Sequence, residues 1–185
     1  MNSATATTTP VHYTRTAVAL HWTIAGLIAC GFTLGLIVSD MPFSPLKLKW
    51  IAYHKWLGIT VLALVALRGI WRLTHRPPEM APMPEWQRAA AKLSHGLMYT
   101  LMFVIPLFGW LFSSASGYQV VYLGLLPLPN LVAKNKPLAD LMGDIHSGLA
   151  WLMLYVLLLH AAAALKHHFF DRDDTLRRML RWRSS

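Results

Sequence analysis

Five histidines lie within strongly apolar stretches of this chain of 185 residues: His21, His54, His95, His146 and His160. A histidine inside a membrane helix is energetically costly, so it is usually retained for a function. A single one could be explained by a hydrogen bond to a neighbouring helix. Five of them in four apolar stretches indicate a bound cofactor instead.

The spacing of two of these histidines indicates the kind of cofactor. His146 and His160 lie 14 residues apart in one apolar stretch. On a helix, their side chains differ by only ~40° in direction and by ~21 Å in height. Two neutral imidazoles make good axial ligands for the iron of an electron-transfer haem. Transport sites cluster at the midplane and zinc needs more than two ligands, so two separated haem levels fit better.

The elements that must position these histidines are transmembrane helices. The chain is 55% apolar and 14% charged, whereas soluble domains carry about 25% charged residues. Its four apolar runs are each near the ~20 residues needed to cross a bilayer. They are Ala17–Ser39, about Trp50–Leu73, Leu93–Phe112 (with Pro106 inside) and Ile145–His167. The predicted fold class is therefore all-α, a four-helix transmembrane bundle.

The remaining segments divide the chain further. Residues 1–12 are predicted to be a disordered N-terminus, residues 13–170 a four-helix dihaem domain, and residues 171–185 a basic tail. The segment Gly117–Pro137 is apolar but too interrupted by proline and glycine to span, so we expect it at the membrane interface. Cys30 is the one cysteine and the C-x-x-C-H attachment motif is absent, so any haem must be bound non-covalently.

The distribution of basic residues predicts the orientation of the bundle. The net charge is +9, but the basic residues flank apolar runs and form no patch that would bind nucleic acid. Five of the 17 Lys and Arg residues lie on the side that carries the loop between the first two apolar runs and the loop between the last two. The other twelve lie on the side of the termini. The five are Lys47, Lys49, Lys55, Lys134 and Lys136. The positive-inside rule therefore places both termini in the cytoplasm.

The alternation of helix direction predicts which histidines share a level. His54 pairs with His146 toward the outside, and His21 pairs with His160 toward the cytoplasm. His95 competes with His21 for the cytoplasmic haem, because its helix also starts from that side.

A porphyrin lying along a helix needs a small side chain four residues after its ligand, on the same helix face. His95 is followed at that position by Tyr99, which would obstruct a porphyrin, so His21 is favoured as the ligand. The corresponding residues after the other four histidines are Ala25, Gly58, Ala150 and Ala164.

Arg68 is a candidate for contact with the cytoplasmic haem. It lies 14 residues beyond His54, on the same helix face, and its guanidinium suits a haem propionate. An interfacial arginine that extends its charge toward water explains it as well.

Several short stretches around these residues resemble the bacterial cytochrome b561 family over nearly the whole chain. They are Ala-Leu-His21-Trp, His54-Lys-Trp-Leu-Gly58, Arg68-Gly-Ile-Trp-Arg72, Ser-His95-Gly-Leu-Met-Tyr, and His146 followed 14 residues later by His160-Ala-Ala-Ala-Ala-Leu-Lys-His-His-Phe. The resemblance implies a multi-pass cytochrome of the bacterial inner membrane with two haem b groups, each held by two histidines.

The resemblance leaves two functions open. One is a self-contained enzyme that oxidises superoxide at the outer face and reduces ubiquinone. In it Lys55, which follows the outer ligand His54, would guide the anion, and His95 would take part in catalysis. The other is an electron-transfer subunit that links a dehydrogenase or hydrogenase partner protein to the quinone pool.

Overall fold

The computed structural model describes residues 13–75, 77–78 and 83–180, and five α-helices account for most of them. The helices are α1 (Arg15–Asp40), α2 (Pro45–Thr74), α3 (Glu85–Ala115), α4 (Lys136–Lys166) and the short α5 (Arg177–Leu180). The predicted disordered segment, residues 1–12, and the last five residues of the predicted basic tail lie outside the described residues.

Within the described ranges, four helices are long and apolar enough to cross a membrane, with mean hydropathies between 1.5 and 2.0. They are α1 to α4, the fourth being extended to Asp171 by a π-helical turn. The predicted all-α, four-helix transmembrane bundle is confirmed. The cytoplasmic location of both termini remains a prediction.

Three of these helices begin well before their apolar runs, and capping residues start two of them, α2 and α4. The Ser44 hydroxyl accepts a hydrogen bond of 3.2 Å from the backbone N–H three residues later, and Pro45 opens α2. The Asn135 side chain does the same at 3.0 Å for α4, which has Pro137 in its first turn. A capping acceptor followed by proline starts a helix regardless of hydropathy.

The bundle core is an apolar layer halfway along the helices. Each of the long helices α1 to α3 packs on the next in sequence, and α1 also meets α4, where the rings of Phe32 and Trp151 lie 5.2 Å apart. Met153 is seven residues from His146 and seven from His160, so this layer separates the two histidine levels. The buried core residues are Ile24, Val61, Val65, Met98, Leu101, Met102, Met153 and Val156.

A small β-hairpin in the connection between α3 and α4 was not predicted. Strand β1 (Val121–Tyr122) pairs antiparallel with β2 (Leu126–Pro127), so that Val121 lies opposite Pro127. The strands are only two residues long, too short for a period-2 pattern to appear in the sequence.

The chain after α4 reverses direction. The π-helical turn His167–Asp171 ends at Arg172, whose φ of 54° and ψ of 32° are left-handed. This reversal returns Asp173 to His167 Nδ1 at 2.8 Å. His167 is therefore largely covered although it lies at a helix end, with 15% of its side chain exposed.

Candidate cofactor-binding site

Two histidines meet at the end of the bundle that carries the hairpin. The ring centroids of His54 on α2 and His146 on α4 lie 5.9 Å apart. We call them the hairpin-side pair. The structure thus brings together two residues that are 92 positions apart in the chain and that the alternation of helices placed at one level.

Backbone carbonyls orient both rings of the hairpin-side pair. The Nδ1 atom of His54 lies 3.0 Å from the carbonyl oxygen of Gly31, and that of His146 lies 2.9 Å from the carbonyl oxygen of Ile105. A carbonyl oxygen only accepts, so each Nδ1 carries the proton and donates it. Each Nε2 then keeps its lone pair for a metal, which is how ligating histidines are commonly fixed.

Glycines make room for these two rings. A Cβ atom on Gly35 would lie 3.3 Å from Cε1 of His54, and one on Gly109 would lie 3.0 Å from Cε1 of His146. The spacing of Gly31 and Gly35, four residues apart on α1, is typical of helix packing, but both contribute to the position of His54. One accepts a hydrogen bond from His54 and the other allows its ring to approach α1.

Three histidines meet at the opposite end of the bundle. The ring of His160 lies 6.4 Å from that of His21 and 5.4 Å from that of His95, measured between centroids. We call these three residues the termini-side cluster. Both candidates for partner of His160 are therefore in place, and proximity alone favours His95 slightly.

Tyr99, which was expected to obstruct a porphyrin beside His95, is engaged by two arginines of α2. The guanidinium carbons of Arg68 and Arg72 lie 5.6 Å and 5.7 Å from the centroid of its ring. Such cation–π contacts fix the position of the ring. Arg68 also lines a cavity of about 50 Å³ beside Trp71 and Tyr99, so its charge is held near the termini-side cluster.

A cleft opens between α2 and α3 next to this cluster. Its volume is about 360 Å³, and a Cβ atom on Gly69 or Gly96 would meet nothing within 4 Å. The absence of side chains at these two positions contributes to the opening. The cleft is lined by Gly69, Arg72, Lys92, His95, Gly96 and Tyr99.

The two levels have the donor atoms and dimensions that axial ligation needs. A nitrogen ligand lies about 2 Å from a metal ion, so two imidazoles on opposite sides of one ion have centroids about 6 Å apart. The measured separations of 5.9, 6.4 and 5.4 Å surround this value. The histidines therefore fit two separate metal-porphyrin groups rather than one shared site.

Lys55 lies at the hairpin end, directly after His54. It is half-buried, and its ammonium lies 5.9 Å from the centroid of the Tyr118 ring. Tyr118 follows the end of α3, so a residue of the connecting segment holds this charge near the hairpin-side pair.

Comparison with known proteins agrees with this arrangement. The sequence model of the prokaryotic cytochrome b561 family matches residues 12–182. The chain is 36% identical over 178 residues to cytochrome b561 homolog 2 of Escherichia coli, covering 94% of each protein. It is 30% identical to cytochrome b561 homolog 1 of the same organism, over 91% of this chain and 96% of that one.

A more distant relative carries a more specific name. The chain is 27% identical over 179 residues to a probable superoxide oxidase of Yersinia pestis, covering 91% of this chain and 95% of the relative. The family match covers nearly every residue, including all four long helices and both histidine levels. The chain therefore belongs to the prokaryotic cytochrome b561 family of membrane b-type cytochromes, which bind haem and transfer electrons.

Proposed function

We propose that this chain is a dihaem cytochrome that oxidises superoxide at the hairpin end and reduces ubiquinone at the other end. The observation that carries the proposal is the presence of two histidine levels in one bundle, separated by an apolar layer. The similarity to the Yersinia pestis protein supports the choice of superoxide as the electron donor.

The ligand assignment follows the two levels. His54 and His146 would hold one haem, and His21 and His160 the other, with Arg68 near a propionate of the second. When bound, each haem supplies an iron that accepts and releases one electron at a time. The protein's part is to fix the imidazoles, and on the hairpin side the carbonyls of Gly31 and Ile105 do this.

The proposed reaction is balanced between a one-electron donor and a two-electron acceptor. Two superoxide ions give up one electron each and leave as two molecules of dioxygen. One ubiquinone takes both electrons and two protons and leaves as ubiquinol. Lys55 would attract the superoxide anion beside His54, since opposite charge raises the rate of encounter.

The cleft between α2 and α3 is our candidate for quinone reduction. Its volume of about 360 Å³ lies in the range of small-molecule sites, roughly 300–1,000 Å³. His95 lines it and also contacts His160. If His21 holds the haem, the imidazole of His95 is left to donate a proton to a quinone oxygen, as histidine commonly does near neutral pH.

The proposed setting is the bacterial inner membrane, with residues 13–170 forming the functional domain. Twelve of the 17 basic residues lie on the side of the termini, which would place that side in the cytoplasm. Superoxide would then be captured on the periplasmic face.

Two measurements test this function. A pyridine haemochrome assay against protein mass should give two haems per chain, extracted without breaking a covalent bond. Superoxide generated in pulses should reduce the purified protein, and added ubiquinone should reoxidise it. A ratio near one haem, or no reduction by superoxide, would contradict the proposal, and reduction only by a co-purified protein would support the electron-transfer subunit instead.

A further inference from the structure

The tip of the β-hairpin is strongly apolar and uncovered. Leu123, Leu125 and Leu126 are 54%, 85% and 57% exposed. Three neighbouring leucines at a loop tip would be an unusual surface in water, and such apolar patches mark binding surfaces.

The first strand of the hairpin lies against the membrane-spanning part of α2. The indole N–H of Trp56 donates to the carbonyl oxygen of Val121 at 2.7 Å, and the hydroxyls of Thr60 and Tyr122 lie 2.9 Å apart. Lys55 is the last charged residue before the uncharged stretch Trp56–Leu67. Thr60 is five residues further along, ~7.5 Å deeper. The strand therefore descends along the helix and does not project away from it.

The chain after the hairpin is fixed at a similar depth on α3. The indole N–H of Trp110 donates to the carbonyl oxygen of Pro129 at 3.1 Å. Trp110 lies five residues before the end of α3 at Ala115, which is again ~7.5 Å along the helix. Tryptophans with a polar bond at one end are typical of the membrane interface. Two of them hold this segment at the level of the outermost turns of the spans.

The backbone at the tip favours residues other than leucine. Leu123 has a φ of 53°, and Gly124 follows with a φ of 73°. Glycine or asparagine adopts this left-handed conformation with less strain. Leu123 therefore combines a strained backbone with a side chain that is mostly exposed, a combination that points to a function for the side chain.

We propose that this hairpin tip is a membrane-inserting loop, in which Leu123, Leu125 and Leu126 contact the acyl chains of the adjacent leaflet. The hairpin is bonded at two points to α2, a helix long and apolar enough to cross the membrane. Phospholipid is the partner that is present at that depth. A protein partner would have to reach the same leucines within the membrane interface.

Site-specific fluorescence in proteoliposomes tests this position. The native Cys30 is replaced by serine, Leu125→Cys is introduced, and the thiol is labelled with an environment-sensitive fluorophore before reconstitution into phosphatidylcholine. We expect strong quenching by phospholipids that carry a nitroxide near the headgroup and weak quenching by aqueous iodide. Ala133→Cys, exposed beside Lys134 and the start of α4, is the aqueous control, and the wild type labelled at Cys30 is the membrane control.

Insertion is supported if the lipid nitroxide quenches the probe at Leu125 more strongly than iodide does. Iodide quenching at Leu125 would then equal that at Cys30 or lie between those of the two controls. A probe that iodide quenches as strongly as at Ala133 overturns the proposal and leaves the leucines for a water-borne protein partner. If Leu125→Cys does not fold, as judged by its haem spectrum, Leu126→Cys gives the second reading.

Discussion

The Nδ1 atom of His146 on α4 lies 2.9 Å from the carbonyl oxygen of Ile105 on α3. This bond selects one tautomer, because a carbonyl oxygen accepts only from a protonated nitrogen. It also draws the ring against the backbone of α3, one helical turn from Gly109. The orientation of a proposed haem ligand is thus set by a different helix from the one that carries it.

Gly109→Ala should therefore disturb the haem that we propose at the hairpin end. The added Cβ atom would lie 3.0 Å from Cε1 and 3.1 Å from Nδ1 of His146, so the ring must shift. Overpacking of this kind costs about 1–3 kcal/mol, and the middle of this range, about 2 kcal/mol, corresponds to roughly thirtyfold weaker haem retention. Reduced-minus-oxidised spectra and a redox titration should show one of the two haem signals lowered or shifted.

Gly26→Ala is the matched control for this substitution. A Cβ atom on Gly26, in the middle of α1, would meet nothing within 4 Å. Its spectra and haem content should equal those of the wild type. Equal spectra for Gly109→Ala as well would mean that His146 does not hold a haem in this orientation.

Single alanine substitutions should separate the two haem levels. His54→Ala and His146→Ala should remove the same haem, because their rings are 5.9 Å apart. His160→Ala should remove the other haem, since its ring contacts both of the remaining candidates. The readout is the haem-to-protein ratio together with the low-spin spectrum of the haem that remains.

The choice between His21 and His95 is the sharper part of this test. We expect His21→Ala to abolish the termini-side haem, and His95→Ala to leave two haems bound while slowing quinone reduction. The reverse pattern would assign the ligand to His95, whose ring is the closer one to His160. Quinone reduction would then need a different proton donor.

The features that hydropathy records could be predicted from the sequence. Four apolar runs gave four spans, and the 14-residue interval between His146 and His160 gave two levels. The partner of His160 could not be chosen in this way, because ring distances depend on how the helices cross. Tyr99 obstructs a porphyrin when only its own helix is considered, whereas Arg68 and Arg72 of α2 determine where that ring lies.

The hairpin and the tail turn could not be predicted from the sequence either. Both depend on a residue other than glycine in the left-handed conformation, Leu123 in one and Arg172 in the other. Sequence rules reserve that conformation chiefly for glycine. The carbonyls that orient His54 and His146 carry no sequence signal at all, because every residue has one.

The tail turn should lose stability in acid. Burial alone would raise the pKa of Asp173, but hydrogen bonds from Thr175 and the contact with His167 lower it below its ordinary value of 3.8. A depressed pKa stabilises the folded turn fully above the ordinary value, and the contribution is lost as the pH falls through the lower one. Hydrogen exchange of residues 172–180 should therefore accelerate below about pH 3.8.

Asp173→Asn should remove this dependence and weaken the turn at neutral pH. The loss of charged hydrogen bonds is worth about 1–2 kcal/mol, or roughly 5- to 30-fold faster exchange near Asp173. Asp174→Asn is the matched control, because Asp174 is exposed and its contact with Arg177 is 3.6 Å long. Equal exchange in both variants would show that Asp173 does not hold the tail.

Two lysines of α2 allow the proposed capture of superoxide to be tested at constant total charge. Lys55 and Lys49 each have their ammonium 5.9 Å from a tyrosine ring, that of Tyr118 and Tyr53 respectively. Lys55 adjoins His54, whereas Lys49 is exposed and lies six residues nearer the start of α2. Changing either to glutamate lowers the net charge of the chain by two.

Lys55→Glu should slow superoxide capture more than Lys49→Glu. At ~9 Å along the helix from Lys55, Lys49 lies about one Debye length away in physiological salt, so its charge acts only weakly beside His54. We expect the second-order rate constant for haem reduction by pulsed superoxide to fall roughly tenfold in Lys55→Glu in physiological salt, the lower end of electrostatic steering, and the difference from wild type to shrink as ionic strength rises further. The rate constant of Lys55→Gln should lie between those of the wild type and Lys55→Glu.

Equal rates in Lys55→Glu and Lys49→Glu would show that only net charge matters. Slow reduction, independent of salt in every variant, would indicate that a docked dehydrogenase and not superoxide supplies the electrons.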